Sequence, residues 1–148
     1  MTYPHNPTTT GPLGVQLIKD FEGLNLRAYK CPAGKWTIGY GTTAGVKEGD
    51  IVTTDEAEEL LRRDIRFFEA GVAKAVNVKI RQNQFDALVS FAYNVGLGNF
   101  KKSTLLRLLN EGKDTSAADQ FLRWKFVKGV ESGGLLRRRR AERELFIS

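Results

Sequence analysis

Cysteine, histidine and long apolar runs are scarce in this chain of 148 residues. The single cysteine, Cys31, has no second thiol with which to form an intramolecular disulfide, and one cysteine suits a reducing compartment. The single histidine, His5, lies in a polar stretch, and we expect it to be an exposed bystander rather than a catalyst or a ligand. No apolar run approaches the roughly 18 residues that a membrane span needs, so we expect no transmembrane helix.

The amino-terminal residues also lack the features of a secretion signal. Met1 to Gly11 contain neither a basic start nor an apolar core, and two prolines fall among them. We therefore expect residues 1–11 to form a flexible tail and residues 12–148 to form one domain, because this length is typical of a single domain. With 41% hydrophobic and 27% charged residues, the chain has the composition of an ordinary globular protein.

Positive charge is concentrated in one segment near the carboxyl end. The formal net charge is +6, and residues 123–143 hold eight basic and two acidic residues, which accounts for the whole excess. Composition alone leaves open a solvated helix face, a surface for an anionic polymer such as the cell wall or lipopolysaccharide, and a nucleic-acid surface. The basic residues are Arg123, Lys125, Lys128, Arg137, Arg138, Arg139, Arg140 and Arg143, and the acidic ones are Glu131 and Glu142.

A helix followed by a tight hairpin is predicted in the first third of the chain. Apolar residues recur at helical spacing over residues 13–22, and Gly23 is placed to end this helix just after Glu22. A five-residue loop around a proline–glycine turn would pair Cys31 directly with Thr37, on the same face of the hairpin. Glu22, Cys31 and Thr37 could then share one small cavity. The two strand-like runs are Leu26 to Cys31 and Thr37 to Tyr40.

The rest of the sequence is mostly helical. Because helices outnumber strands and the strands cluster early, we predict the α+β class. A long amphipathic helix with Thr54 as its N-cap follows the hairpin. The predicted elements are a third short strand between Gly39 and Gly49, and helices over about 55–75, 82–94, 103–110, 115–127 and 134–147.

The final helix places charged residues on its apolar face. At 100° per residue, Arg138, Arg139 and Glu142 share the face of the apolar residues. We therefore expect at least one of the two arginines to point inward and to need an acidic partner, either Glu142 or Glu22. The apolar residues on this face are Leu135, Leu145 and Phe146, whereas Arg137, Arg140 and Glu144 point away.

Eight residues separate Glu22 from Cys31, and five separate Cys31 from Thr37, which gives a spaced pattern of an acid, a thiol and a hydroxyl. It resembles the catalytic signature of the phage-type lysozymes, the endolysin muramidases of glycoside hydrolase family 24. The resemblance extends over about residues 13–147, and several ordered blocks are more specific than one short motif. The further blocks are Trp36 to Gly41, Asn83 to Gly96, Gly98 to Phe100, Ser103 to Leu105, Trp124, Gly134–Leu135, Arg138–Arg139 and Glu142.

The resemblance implies a lysozyme-like fold. A small β lobe over about 24–53 and a linking helix over about 55–75 would precede a helical lobe over about 77–148, which takes in helix 13–22. The active-site cleft would lie between the lobes. The implied activity is hydrolysis of the β-1,4 bond between N-acetylmuramic acid and N-acetylglucosamine in peptidoglycan, with inversion and with Glu22 as general acid. Neither a metal nor a cofactor is implied.

The resemblance also implies a biological setting, that of an endolysin that lyses its bacterial host. Without a recognisable signal peptide, the protein would be made in the host cytoplasm and would reach the wall through a permeabilised membrane. We expect a monomer whose basic carboxyl-terminal region is attracted to the anionic envelope, without binding a specific nucleic acid. A different class stays open: a non-catalytic module with the same fold that binds the cell wall or nucleic acid.

Two residues depart from the commoner family pattern. Cys31 stands where many members have aspartate, and Thr42 stands where histidine is frequent, so an ion pair made by that histidine would be absent. Cys31 could act as base or electrostatic partner to a water held by Thr37, as a covalent nucleophile, or as a spacer. The resemblance favours the first of these roles.

Further site residues follow from the resemblance. It places Tyr93, Asn94 and Ser103 where the family contacts sugar, and Arg138 near Glu22. From the residues alone, Tyr93 could equally belong to the core, and Asn94 and Ser103 could cap helices. Trp124 and Trp36 are expected to lie in the core rather than to serve as platforms for sugar.

Overall fold

The structure is a computed structural model, and it describes residues 3–148, so Met1 and Thr2 lie outside the described part. Within that part, seven α-helices and two small antiparallel hairpins confirm the α+β class. The helices are α1 (Pro12–Glu22), α2 (Thr54–Ala75), α3 (Gln82–Val95), α4 (Leu97–Lys102), α5 (Thr104–Asn110), α6 (Asp114–Gln120) and α7 (Gly133–Ile147). The strands are β1 (Asn25–Lys30), β2 (Trp36–Gly39), β3 (Phe126–Val127) and β4 (Val130–Glu131).

The first hairpin has a tighter turn than the sequence predicts. Tyr29, not Cys31, pairs with Thr37 across β1 and β2. The Cys31 amide donates to the Lys35 carbonyl at 2.9 Å, so the predicted direct pairing of Cys31 with Thr37 is wrong by two residues. The chain turns earlier because Gly34 adopts a φ of +82°, which lets three residues close the loop. Since the shift is even, Cys31 and Thr37 still project from the same face.

The third strand predicted between Gly39 and Gly49 does not form in this fully described stretch. Two isolated bridges stand in its place, one between Ile38 and Thr42 and one between Arg27 and Ile51. The physical reason is the conformation of the glycines, because a left-handed residue every few positions interrupts an extended run. The glycines with positive φ are Gly39, Gly41, Gly45 and Gly49.

Helix α2 connects the hairpin to the other helices. Its N-cap is Thr53, one residue before the predicted cap, and Thr53 and Glu56 exchange hydrogen bonds in a capping box. Its buried face carries Leu61, Ile65 and Val72, and it packs against α3 and β2. Among the helices described, none combines the length and the hydropathy that a membrane span requires.

Helix α3 is the centre of the core, with nine consecutive buried residues from Gln84 to Ala92. Phe91 packs edge-on against Phe121 at 5.4 Å and against Trp124 at 5.5 Å between ring centroids. Trp124 therefore packs against the core, as predicted, whereas Trp36, for which the same was predicted, is not among the core residues. Aromatic pairs of this geometry stabilise the packing beyond the apolar area that they bury.

The chain between α5 and α7 departs most from the prediction of one helix over 115–127. Helix α6 ends at Gln120, a 3₁₀ turn follows, and β3 and β4 then form a second hairpin. Lys128 and Gly129 both have positive φ, 49° and 80°, which is the geometry of a type I′ hairpin turn. The prediction is wrong because Gly129 acts as a hairpin residue rather than as a helix stop. The short helix α4 was also not predicted, since Gly96 before it and Gly98 within it suggest a loop.

Helix α1 is capped from another helix. Its own N-cap, Gly11, offers no side chain, but the buried carboxylate of Asp86 in α3 accepts from the Gly11 amide at 3.0 Å and the Gly14 amide at 3.3 Å. A carboxylate at this position satisfies free amides and suits the helix dipole. It also fixes the start of the helix whose last residue is Glu22.

The segment before α1 makes several contacts with the helices. The Asn6 side chain donates to the Val78 carbonyl at 2.7 Å and accepts from the Ile80 amide at 2.9 Å. The Thr10 amide donates to Glu69, a buried carboxylate of α2. Residues 6–11 are thus held against the helices, in contrast to the loosely held tail expected for residues 1–11.

Candidate active site

Glu22 lies at the carboxyl end of α1, where Gly23 ends the helix with a φ of +71°. The Arg138 Nη1 atom donates to Glu22 Oε2 at 2.6 Å, and the Glu22 side chain is 20% exposed. On its other side Glu22 meets the backbone of Gly41, because a Cβ at that position would stand 2.7 Å from Glu22 Oε1. The carboxylate is therefore held between α7 and the loop that follows β2.

Behind Glu22, a chain of buried charges runs into α7. Arg138 and Arg139 are both buried, and both contact Glu142, at 3.2 Å and 2.8 Å respectively. Ser90 donates to Glu142 at 2.6 Å. Burial raises the pKa of the Glu142 carboxyl, while the two arginines oppose that shift. The inward orientation predicted for at least one arginine is confirmed, and Arg138 contacts both of the acidic partners considered.

Arg139 extends this network to the surface of the cleft. Its Nη2 donates to Asn94 Oδ1 at 2.8 Å, and its guanidinium lies 5.0 Å from the centre of the Phe91 ring. Burial lowers the pKa of Arg139, against the attraction of Glu142. Its Nε lies close to Glu142 without the alignment of a hydrogen bond, and its Nη1 has no protein partner among the described residues.

One face of the first hairpin carries a thiol and a hydroxyl. Backbone N–H groups, chiefly that of Lys35, hold the pKa of the half-buried Cys31 thiol below its ordinary value, and the Thr37 hydroxyl assists. Thr37 Oγ1 also lies 3.0 Å from the Lys35 carbonyl. Its one hydrogen can therefore be donated either to that carbonyl or to the Cys31 sulfur. On the same face, Tyr29 has its pKa raised by burial and by the charges of Glu22 and Cys31. Tyr29 thus lies within electrostatic reach of both groups.

Two neighbouring cavities form the cleft, and Asn94 lines both. One, of about 650 Å³, lies between the loop after β2 and helices α2 and α3. The other, of about 550 Å³, lies between α1 and the start of α7. Besides Asn94, the first is lined by Lys35, Gly41, Thr43, Ala44, Arg63, Asp64, Phe67, Phe68, Tyr93, Val95 and Gly96. The second is lined by Asp20, Phe21, Glu22, Ser132, Gly134, Leu135, Arg137 and Arg138.

The family model for phage lysozymes matches residues 19–142. The chain belongs to the phage lysozyme family. Over 138 residues it is 51% identical to the endolysin of Bacillus phage PZA. The matched region covers 91% of this chain and 54% of that protein. The chain thus spans about half the length of that relative, and the same holds for the endolysin of Bacillus phage B103.

Solved structures share the fold of this phage lysozyme chain over nearly its whole length. The endolysin of Escherichia coli O157:H7 phage FAHEc1 matches with a TM-score of 0.89 and 38% identity, covering 100% of this chain and 97% of that one. The muramidase domain of SpmX from Asticaccaulis excentricus matches with a TM-score of 0.89 and 42% identity, covering 95% of this chain and 98% of that one. The lysozyme-like α+β fold expected from the sequence is therefore confirmed.

Tyr93 joins the two sides of this lysozyme cleft. Its hydroxyl donates to the Tyr40 carbonyl at 2.7 Å, and its ring packs on Phe68 at 5.2 Å. Burial, with the nearby charges of Asp64 and Glu22, raises the pKa of Tyr93 well above its ordinary value. The hydroxyl hydrogen is thus engaged within the protein, and the ring is the part that lines the cavity.

Thr42 lies at the position where the resemblance to phage lysozymes leads one to expect a histidine in many members. Its buried hydroxyl donates to Asp64 Oδ2 at 2.7 Å, so a neutral hydrogen bond joins the hairpin side to α2. Ser103 lies elsewhere: its buried hydroxyl caps α5 by accepting from the Leu106 amide at 3.1 Å. Ser103 is not among the residues that line the two cavities.

Several residues of this lysozyme site were not predicted from the sequence. Asp64 and Phe67 line the larger cavity from α2, and Lys35 lines it from the hairpin, whereas Tyr29 is paired with Thr37 and lines neither cavity. The pairing of Tyr29 with Thr37 would have identified Tyr29, had the turn been placed correctly. Among residues 3–148, no group of three or more His, Cys, Asp or Glu side chains is placed to hold a metal ion.

Proposed function

We propose that this chain hydrolyses the β-1,4 bond between N-acetylmuramic acid and N-acetylglucosamine in bacterial peptidoglycan, with inversion at the anomeric carbon. Glu22 is the general acid that protonates the leaving oxygen. Cys31 and Thr37 handle the attacking water on the opposite side of the sugar ring. An inverting reaction needs such a pair of groups with room for water between them.

The position of Glu22 is the observation that carries this proposal. Its carboxylate is fixed by Arg138 and by the backbone of Gly41, and it lines a cavity that reaches Asn94. A proton donor must be held at a set distance from the bond that it cleaves, and a side chain restrained on two sides meets that need. The Glu22 side chain is 20% exposed and lines this cavity, so it is not sealed off from a ligand there.

Cys31 takes the place of a carboxylate in this mechanism. A thiol is mostly neutral at pH 7, which would make it a poor partner for a water. The amides of Lys35 and Ala33 and the Thr37 hydroxyl favour the thiolate, so negative charge at Cys31 is more accessible than on a free thiol. The thiolate then orients the water or accepts its proton, while a lone pair of Thr37 receives a hydrogen of the same water.

We assign sugar contacts to Tyr93 and Asn94, because both line the cleft. Ser103 is retained in the proposal as a support rather than a direct contact, since its hydroxyl caps α5 behind α4. As an endolysin domain, the chain would act on the cell wall after its release through a permeabilised membrane, and it would do so as a monomer.

A basic surface would hold the enzyme on the anionic envelope. Arg138 and Arg139 are buried and do not contribute to it. Arg143 forms an ion pair with Asp119, and Lys125 forms one with Glu131. The basic surface patch is therefore smaller than the sequence suggests. The basic residues of this region that are exposed and form no ion pair among the described residues are Arg123, Lys128, Arg137 and Arg140.

Replacing Glu22 by Gln tests the catalytic role. Clearing of outer-membrane-permeabilised bacteria and release of reducing sugar ends should both fall about 10²–10⁴-fold, because the variant keeps the shape but cannot donate the proton. Glu144→Gln, at an exposed position of α7, is the matched control and should remain active. A Glu22→Gln enzyme with more than about a tenth of the wild-type rate would remove Glu22 from the acid role.

The same experiment separates the alternative of a non-catalytic binding module. Such a module would bind purified walls while releasing no reducing ends, both as wild type and as Glu22→Gln. Wild-type hydrolysis that disappears in the variant, with wall binding retained, would exclude it.

A further inference from the structure

The contact between Arg139 and Asn94 fixes the orientation of an amide in the cleft. Arg139 Nη2 lies 2.8 Å from the Asn94 side chain. A guanidinium carries only donors, so the amide atom facing it must be the oxygen, because the NH₂ group would place donor against donor. Arg139 itself cannot turn away, since it is fully buried and held by Glu142 and the Phe91 ring.

The amide nitrogen of Asn94 is therefore directed to the opposite side. Asn94 is exposed and lines both cavities of the cleft, and its Nδ2 makes no hydrogen bond within residues 3–148. Glu22 and Arg138 line the same smaller cavity. A free amide donor thus lies in the cleft close to the proposed acid, with its direction set by a buried residue.

We propose that Arg139 is a positioning residue that makes the cleft select a hydrogen-bond acceptor at Asn94, namely a carbonyl oxygen of the substrate. This inference rests on the proposed function. In peptidoglycan the carbonyl can come from the acetamido group of a sugar or from the peptide stem. A sugar whose acetamido group has been removed presents an ammonium, which has donors only and would face the Asn94 NH₂ without a hydrogen bond.

Asn94→Asp inverts this preference without removing the Arg139 contact. One carboxylate oxygen keeps the bond to Arg139, and the other replaces the NH₂ group by an acceptor. The assay compares initial rates on purified peptidoglycan and on the same material after enzymatic N-deacetylation. If the carbonyl at Asn94 belongs to the acetamido group, the wild type should favour acetylated walls, and in Asn94→Asp the ratio of the two rates should shift toward deacetylated walls by about tenfold or more.

Amidase-treated walls, which keep the sugars but lose the stems, identify the source of the carbonyl. If the acetamido group is read, the wild type and the variant respond to deacetylation in opposite directions and both ignore stem removal. If the stem is read, stem removal slows the wild type alone, and deacetylation affects both proteins equally. Either pattern supports a carbonyl at Asn94 and names where it lies.

The inference is overturned if Asn94→Asp changes the rates on all walls by one common factor, or changes none of them. A wild type that is inactive on every wall would overturn the proposed function itself, which is a different result. Asn83→Asp adds the same charge on α3 beside the carboxyl terminus, where Asn83 donates to Ser148, and should leave the ratio unchanged.

A second variant tests the role of Arg139 directly. Arg139→Lys removes the planar fork, so Asn94 can turn either way, and the preference should relax toward equal rates on the two walls. Thermal melts establish whether this buried variant folds. If it does not, the Asn94→Asp comparison decides alone.

Discussion

The guanidinium of Arg138 lies 2.6 Å from the carboxylate of Glu22, and the same guanidinium contacts Glu142 behind it at 3.2 Å. One arginine therefore joins the proposed acid to the interior of the protein. The charge of Glu22 is compensated from the buried side, while its other surface faces the cleft.

Arg138→Ala should destabilise the protein far more than Arg137→Ala or Arg140→Ala. Removal of Arg138 leaves Glu142 buried with one cation fewer, which typically costs about 3–5 kcal/mol, whereas an exposed charge contributes about 0–1 kcal/mol. Urea unfolding of the three variants gives the comparison. Equal free energies of unfolding would contradict the ionic role assigned to Arg138.

Gly41→Ala should abolish most activity. A Cβ there would stand 2.7 Å from Glu22 Oε1 and would displace the carboxylate. Gly45→Ala is the matched control, because Gly45 also has positive φ but has no atom within 4 Å of its Cβ position. Both variants should lose stability to backbone strain, of the order of 1 kcal/mol. Activity should fall only in Gly41→Ala, and a parallel loss in both would mean that strain alone is responsible.

Cys31→Asp should keep substantial activity, and Cys31→Ser should lose most of it, because a hydroxyl supplies no comparable negative charge. The anomeric configuration of the first product released, followed by NMR, should be inverted in both the wild type and Cys31→Asp. A thioether intermediate with retained configuration would assign Cys31 as nucleophile instead. A fully active, inverting Cys31→Ser would leave the thiol as a spacer.

The pH dependence of the wild type should report the Cys31 thiolate. Since the pKa of Cys31 is lowered, chiefly by the Lys35 amide, activity should rise with pH at a midpoint below the ordinary thiol value and be lost as pH falls through it. The profile of Cys31→Asp should lack this rise. Identical profiles would mean that the thiol does not titrate in the reaction.

Binding to walls should weaken as salt rises, because surface charges are screened over about 8 Å at physiological ionic strength. Changing Arg123, Lys128, Arg137 and Arg140 together to Gln should remove most of the salt dependence. Changing the exposed Lys74, Lys79, Lys101 and Lys102 to Gln is the control of equal charge and should change it less. Tight, sequence-dependent binding to duplex DNA would favour the nucleic-acid alternative.

Periodicity was sufficient to predict the parts of the structure that bury one regular face. The helical repeat of apolar residues places α1, α2, α3 and α7 to within one or two residues. The same repeat also predicts the inward orientation of Arg138. Such predictions succeed because a buried stripe leaves little choice of orientation.

The remaining features depend on short turns and on contacts between distant residues. The hairpin at Lys128–Gly129 was missed because a lysine in the left-handed region is not visible in a pattern of apolar residues. The Cys31 register was missed because Gly34 shortened the turn. The pairing of Arg139 with Asn94 joins residues that lie 45 positions apart, and only the packing of α7 on α3 brings them together.

The cap of α1 by Asp86 has a consequence for heat resistance. Glu22 is tied to the well-packed helices at both ends of α1, by Asp86 and by Arg138. Cys31 instead follows β1, a strand that buries only Ala28, although Thr37 belongs to β2, where three of the four residues are buried. Segments with little buried surface open locally at a lower free energy than the whole protein. Warming should therefore inactivate the enzyme by fraying β1, and with it the position of Cys31, at temperatures where α3 still resists hydrogen exchange.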